Sequence, residues 1–129
     1  MKYEDVTEAI IGCAYRVYNK MGFGFLETVY ERCLLIELHK AGLSVESQKP
    51  ITVLYDDVSV GEFVADIVVN NEIILELKSV KRLHPAHEAQ LVNYLVATRR
   101  PVGLLLNFGE IKVDVKRKVR TLGCKENIL

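Results

Sequence analysis

The chain has 129 residues, half of them hydrophobic and 26% charged, which suits one folded domain, 1–129, with a core of its own. Seventeen Lys and Arg balance seventeen Asp and Glu at a pI of about 6.8, so no global field draws the chain to nucleic acid or membrane, and a polyanionic partner must be held by a local patch. Cys13, Cys33 and Cys124 lack paired zinc spacing, Met1-Lys2-Tyr3-Glu4-Asp5 lacks a secretion signal's apolar segment, and no apolar run is long enough to cross a membrane. These features point to free thiols in a reducing, cytoplasmic setting.

Val6, Ile10, Cys13, Ala14, Val17 and Tyr18 recur near helical spacing over 5–20, and Gly22 is placed to cap that helix. A second helix over 25–41 presents Leu26, Val29, Tyr30, Cys33, Leu34, Ile36 and Leu38 and ends at Gly42. Residues 45–55 alternate into a strand through Ile51, Val53 and Tyr55, and Asp56-Asp57 makes a turn. Two more strands follow at 60–69 and 72–80, rich in Val and Ile. Pro85 opens a third helix over 86–99, with Ala89, Val92, Leu95 and Val96 on its apolar stripe. Val102 to Phe108 reads as a buried strand, Gly109-Glu110 as a turn, and Ile111 to Val119 as an alternating edge strand. The order ααβββαββ gives an α/β fold, a mixed sheet flanked by helices.

The most apolar part of the chain holds three ionisable residues, Asp66, Glu76 and Lys78. Acids in a strand that is apolar on both faces are costly unless paired or bound to a metal. Side chains alternate along a strand, so Glu76 and Lys78 share one face and Leu75 and Leu77 take the other. Asp66 joins Glu76 only if the connection is odd, most simply Asn70-Asn71-Glu72. A two-residue loop would set Asp66 opposite Leu75 and separate the acids, whereas a bulge could restore the pairing. With the three-residue loop, two carboxylates face one point, as Mg²⁺ or Mn²⁺ requires of its hard oxygen ligands. Lys78 then stands where it could orient a metal-bound water or offset phosphate charge.

Asp66, a short connection and Glu76-Leu77-Lys78 resemble the PD-(D/E)XK nuclease signature on adjacent strands. Gly24-Phe25-Leu26-Glu27-Thr28-Val29-Tyr30 matches the motif that names the GxxExxY protein family of that superfamily. Gln90-Leu91-Val92-Asn93-Tyr94 resembles the QxxxY motif of its RecB-like and lambda-exonuclease-like members. The three motifs occur in the expected order and span roughly residues 5–120. One departure is Ala65 in place of the proline before Asp66, which removes no ligand.

The resemblance implies a restriction-endonuclease-like core and a nuclease that cuts DNA, RNA being the lesser candidate. Asp66, Glu76 and the Leu77 carbonyl would hold the metal, with Glu27 reaching it directly, through water or through a second ion. Glu27, Asp66, Glu76 and Lys78 are thus the catalytic candidates, although Glu27 alone reads as a surface acid favoured by its helix dipole. Gln90 and Tyr94 share a helix face with His87 one turn earlier, and the motif implies contact with the active centre or nucleic-acid backbone. Tyr30 lies on one face with Glu27 and Glu31 and is a further substrate-binding candidate.

Lys81 and Arg82 follow the site, Arg99-Arg100 end the third helix, and Lys112, Lys116, Arg117, Lys118 and Arg120 crowd the last strand. Such clusters either contact phosphates or protect an edge strand and a helix end. His84-Pro85-Ala86-His87 invites a zinc reading, but no cysteine lies nearby, Pro85 disturbs a helical pair, and a loop or helix N-terminal role fits His84 better. A binding module that keeps the fold without turnover is the second hypothesis, and a structural interaction protein the third. A dimer or larger complex would supply the recognition surface that so short a chain lacks.

Overall fold

The computed structural model describes residues 3–120; Cys124 lies outside them. Two helices come first, α1 (Glu4–Met21) and α2 (Glu27–Lys40), then β1 (Val45–Tyr55), β2 (Val58–Val69) and β3 (Ile73–Lys78). The third helix α3 (Pro85–Thr98) leads to β4 (Val102–Phe108) and β5 (Val113–Val119), so the order is ααβββαββ. The five strands lie in sequence order, β1-β2-β3-β4-β5. β3 and β4 are parallel, as the helical crossover requires, and every other neighbour is antiparallel. Among the described residues no helix is long and apolar enough to cross a membrane.

Both sheet faces are covered, which is why β3 as far as Leu75 and β4 as far as Leu106 are apolar on both faces rather than alternating. α1 and α2 pack on one face through Ile10, Val17, Tyr30, Leu34 and Leu38, against Ile67, Leu75, Leu77, Leu104 and Phe108. α3 covers the other, with Leu91 and Leu95 against Ile51, Ala65, Val68, Ile74 and Leu105. The approach of α3 is close enough that a Cβ on Gly103 would stand 2.8 Å from a Leu91 methyl, so this strand position admits only glycine without repacking.

Local chemistry sets the element ends. Gly22 (φ 72) caps α1 by donating to Tyr18 O, as its sequence position predicts. α2 closes on paired bonds, Gly42 N–H to His39 O and Leu43 N–H to Leu38 O. It begins at Glu27 rather than 25, because the backbone of Phe25 is bonded elsewhere: its N–H donates to Tyr30 Oη and its carbonyl accepts from Ser79 Oγ. β3 ends at Lys78 rather than 80, because the Asn107 side chain takes both polar groups of the Val80 backbone, at 3.0 and 2.8 Å. The last strand starts at Val113 rather than 111, since Gly109 N–H closes a turn on Lys112 O.

Val69 pairs with Ile73, leaving the three-residue loop Asn70-Asn71-Glu72 between β2 and β3. Both asparagines are left-handed, at φ 52 and 57, and Glu72 N–H donates to Val69 O at 3.0 Å. The odd loop that brings the two acids together is the one present.

Candidate active site

The site forms where the β2–β3 ladder stops. Backbone pairing runs from Val69/Ile73 to Ile67/Leu75, and continuing that register sets Asp66 opposite Glu76. At that point the carboxylates take over from the backbone. Asp66 N–H donates to Glu76 Oε2 at 3.2 Å, and Leu77 N–H donates to Asp66 Oδ2 at 2.8 Å. Each acid is therefore fixed by one oxygen. The other oxygens, Asp66 Oδ1 and Glu76 Oε1, are not among the buried unpaired atoms, so they stay open to water.

β2 is irregular at the same place. Ala65 and Val68 both join the α3-side core while Ile67 joins the other, so strict alternation slips at Asp66. Gln48, which would face Asp66 across β1, drops out of the pairing and carries φ 50. Its side-chain amide donates instead to Glu31 Oε1 at 2.8 Å. The kink lets α2 bring acids toward the site from the opposite face of the sheet.

Negative charge is concentrated here. Burial first, and then the charge of Asp66, push the Glu76 carboxyl up to about 8, while Lys78 and the Asp66 N–H work in the other direction. Glu27, exposed at the start of α2, adds to the repulsion. Burial raises Glu31 as well, the Gln48 hydrogen bond opposes this, and Asp66 raises it further. Four acids thus share one field, and Lys78 is the cation that moderates it at Glu76.

α3 closes the site from its own side. Tyr94 stacks on Phe63 with centroids 3.6 Å apart and planes 8° apart. Burial and then the Glu76 charge raise the Tyr94 phenol, and its hydrogen bond with Gln90 lowers it. Gln90, Tyr94 and Glu76 are therefore neighbours. His87 is otherwise engaged: its Nδ1 accepts from His84 N–H at 3.2 Å, and His84 Nδ1 accepts from Ala86 N–H at 3.0 Å. The two imidazoles cap α3, so of the loop and helix N-terminal roles expected of His84 the second is the one present. His84→Ala should cost about 0.5–2 kcal/mol, read as a lower urea midpoint at unchanged slope.

Tyr30 is fully enclosed, stacked on Phe108 at 4.4 Å with its hydroxyl donating to Gly22 O. It has no opening to a substrate, and its place in the motif is that of a core tie. Lys81 and Arg82 lie further on, lining a recess of about 570 Å³ with Gly109, Glu110, Ile111, Lys112 and Asp114. Lys81 pairs loosely with Glu110 and Lys112 with Asp114, while Arg82 has no partner among the described residues.

A divalent cation fits the two central carboxylates. They are hard oxygen donors, each anchored through one atom and offering the other, and burial followed by the Asp66 charge is what raises Glu76. The fit is a pair with solvent ligands rather than a closed cage: among the described residues no three His, Cys, Asp or Glu group closely enough to hold a metal ion. The Leu77 side chain lies in the core and its N–H is bonded to Asp66, so only its carbonyl could contribute.

Gln48, Ser79 and Asn107 position this site and were not singled out from the sequence. Gln48 sits in an ordinary alternating run, and only its strained φ reveals it. Asn107 is a lone amide in a wholly buried strand, a signal of a committed hydrogen-bond role that could have been read.

Comparison with known proteins gives the family and the fold. The model of the PD-(D/E)XK nuclease superfamily matches residues 4–118. The crystal structure of SSO0001 superposes with a TM-score of 0.59 at 16% identity, covering 92% of this chain and 60% of that one. An alkaline exonuclease from Laribacter hongkongensis superposes with a TM-score of 0.51 at 11% identity, covering 89% and 80%. At such identities the likeness is one of fold, and the chain spans 60% of the length of the first neighbour. No curated protein matches. A family match over nearly the whole described chain, with its acids and lysine on adjacent strands, means that the chain belongs to the PD-(D/E)XK nuclease superfamily.

Proposed function

We propose that this chain is a metal-dependent nuclease, a single domain that hydrolyses phosphodiester bonds of DNA and, less readily, RNA. The observation that carries the reading is the crossed pair of bonds by which Asp66 and Glu76 each hold the other's strand while turning one oxygen outward. Asp66, Glu76 and the Leu77 carbonyl would hold Mg²⁺ or Mn²⁺, with Glu27 in reach through water. The bound cation supplies a more acidic water and offsets charge on the phosphoryl transition state. Lys78, on the Glu76 face of β3, orients the attacking water and balances the phosphate. Tyr94 and Gln90 exclude solvent beside Glu76 and meet the strand, and Lys81 and Arg82 hold phosphates beyond it. The free thiols Cys13 and Cys33 support a cytoplasmic setting. A homodimer or larger complex would complete substrate recognition.

The absence of a three-acid cage among the described residues favours one rival, a module that binds nucleic acid without turnover. Incubation with linear and circular DNA and RNA, in Mg²⁺, Mn²⁺ or EDTA, separates the two. Cleavage in either metal and none in EDTA is expected, and an exonuclease would spare the circles. Intact substrate in every condition, with binding retained, would establish the rival.

A further inference from the structure

One surface feature beside the carboxylates has no part in the chemistry just described. Between α1 and α2 the chain reads Gly22-Phe23-Gly24-Phe25-Leu26, and its three apolar residues face solvent, Phe23 39% exposed, Phe25 42% and Leu26 76%. Single exposed apolar residues are ordinary, but three in four positions form a patch.

The loop is held in place. Gly22 and Gly24 take φ 72 and 113, conformations that side chains resist. Tyr30 fastens it from below, its hydroxyl donating to Gly22 O and accepting from Phe25 N–H at 3.3 Å. Ser79 Oγ fastens it from the side by donating to Phe25 O at 2.9 Å. Ser79 directly follows Lys78, so the loop that carries the exposed rings is tied to the end of the strand that holds Glu76. Glu27, the next residue along, is in the electrostatic field of Glu76. On the far side of Ser79 the chain enters the recess of Lys81, Arg82 and Lys112, where Val80 and Gly109 are both fixed, by Asn107 and by the Tyr18 hydroxyl at 2.6 Å.

We infer that Phe23, Phe25 and Leu26 form a stacking lip for unpaired bases, and that the substrate is a single strand of nucleic acid or a frayed end. The inference rests on the nuclease reading and names its substrate class. An apolar lip on a rigid loop rewards a base face presented to it, and stacking requires no particular base. In a duplex those faces are hidden, so the same patch gains nothing from paired DNA. Phosphates that leave the lip past Lys78 meet Arg82, which has no partner among the described residues, and the loosely paired Lys81 and Lys112. The apolar lip and the cations flank Ser79 at the end of the strand that carries the acids, so the bases and the phosphates of one strand meet different surfaces.

The test uses Glu76→Gln as the parent, so that binding is read without cutting. Fluorescence anisotropy is recorded with a labelled oligothymidylate and oligouridylate of about 12 nucleotides, within the usual single-strand site sizes, and with a duplex of equal length. Either strand should bind more tightly than the duplex. Phe23→Ala and Phe25→Ala should each weaken strand binding about 5- to 100-fold and leave duplex binding and the salt slope as they were. Arg82→Ala should instead flatten the salt slope by about 0.7 per lost phosphate contact.

Phe25 also meets Tyr30 edge-on at 6.0 Å, so its alanine variant could disturb the loop. Phe25→Trp, which restores an aromatic face, and Leu26→Ala on the most exposed residue keep the test decisive. Equal affinity for strand and duplex, or unchanged strand affinity in folded alanine variants, would overturn the lip. Loss of cleavage in the wild type with strand preference intact would instead overturn hydrolysis and leave the lip standing.

Discussion

Glu76→Gln is expected to lose metal-dependent cleavage by about 10²- to 10⁴-fold while raising the melting temperature of the metal-free protein at pH 8. The two effects have one cause. The Glu76 carboxyl is buried beside Asp66 and so prefers its proton up to about 8. Glutamine keeps the oxygen that accepts the Asp66 N–H and discards the charge. A general acid–base or metal-holding group typically carries about 10²–10⁴ of rate, and a neutral amide is a poor replacement in either role.

The pH dependence has a definite sign. In the unfolded chain Glu76 ionises near its ordinary 4.5, and in the fold it does so only near 8. Below 4.5 both states are protonated and nothing depends on pH at this group. Between 4.5 and 8 the unfolded state gives up the proton and the native state keeps it, so stability falls as pH rises. Above 8 the loss is complete. At face value the shift amounts to a few kcal/mol, about 1.4 for each unit, and water reaching the outer oxygen reduces it. Thermal melts from pH 4 to 9 should show the metal-free wild type declining across that window and Glu76→Gln staying flatter. Mg²⁺ or Mn²⁺ should restore the wild type at pH 8 and leave the variant unmoved, because only a ligand bound by the native state stabilises it. Parallel pH profiles for the two proteins would mean that Glu76 is not the strained acid.

How far the sequence reveals this arrangement follows from which interactions are local. The eight elements were legible because their signals lie within a few residues: the apolar stripe of α1 ending at Gly22, Pro85 opening α3, the Val/Ile runs of β2 and β3. The Asp66–Glu76 pairing was legible too, since the parity of a short loop decides which side chains meet, and Asn70-Asn71 favours an odd one. What stayed hidden depends on contacts between distant parts. Gln48 reaches Glu31 only because β1 kinks opposite Asp66. Asn107 reaches Val80 across the parallel pair and shortens β3 by two residues from its apparent end. Motif matching alone could not distinguish a residue that touches substrate from one that supports those that do, and Tyr30 is the case in point.

Replacing Tyr30 tests that distinction, with the largest expected effect on stability. Tyr30→Ala removes a ring that is fully buried and stacked on Phe108, among α1 and α2 residues such as Ile10, Val17 and Leu34. Truncating a buried aromatic typically costs about 3–5 kcal/mol, much of the stability of a domain this size, and denaturant titration should show a midpoint reduced accordingly. Tyr30→Phe keeps the ring and loses only the hydroxyl, which joins Gly22 O to Phe25 N–H. It should cost about 1–2 kcal/mol and loosen the loop that carries Phe23, Phe25 and Leu26. Its signature is therefore weaker binding of a single strand with an unchanged pH profile and metal requirement, since neither Asp66, Glu76 nor Lys78 has been touched. A Tyr30→Phe protein as stable as the wild type but unable to cleave would assign the hydroxyl to chemistry. The enclosed position of that hydroxyl, bonded to Gly22 O and to Phe25 N–H beneath the loop, argues for the supporting role.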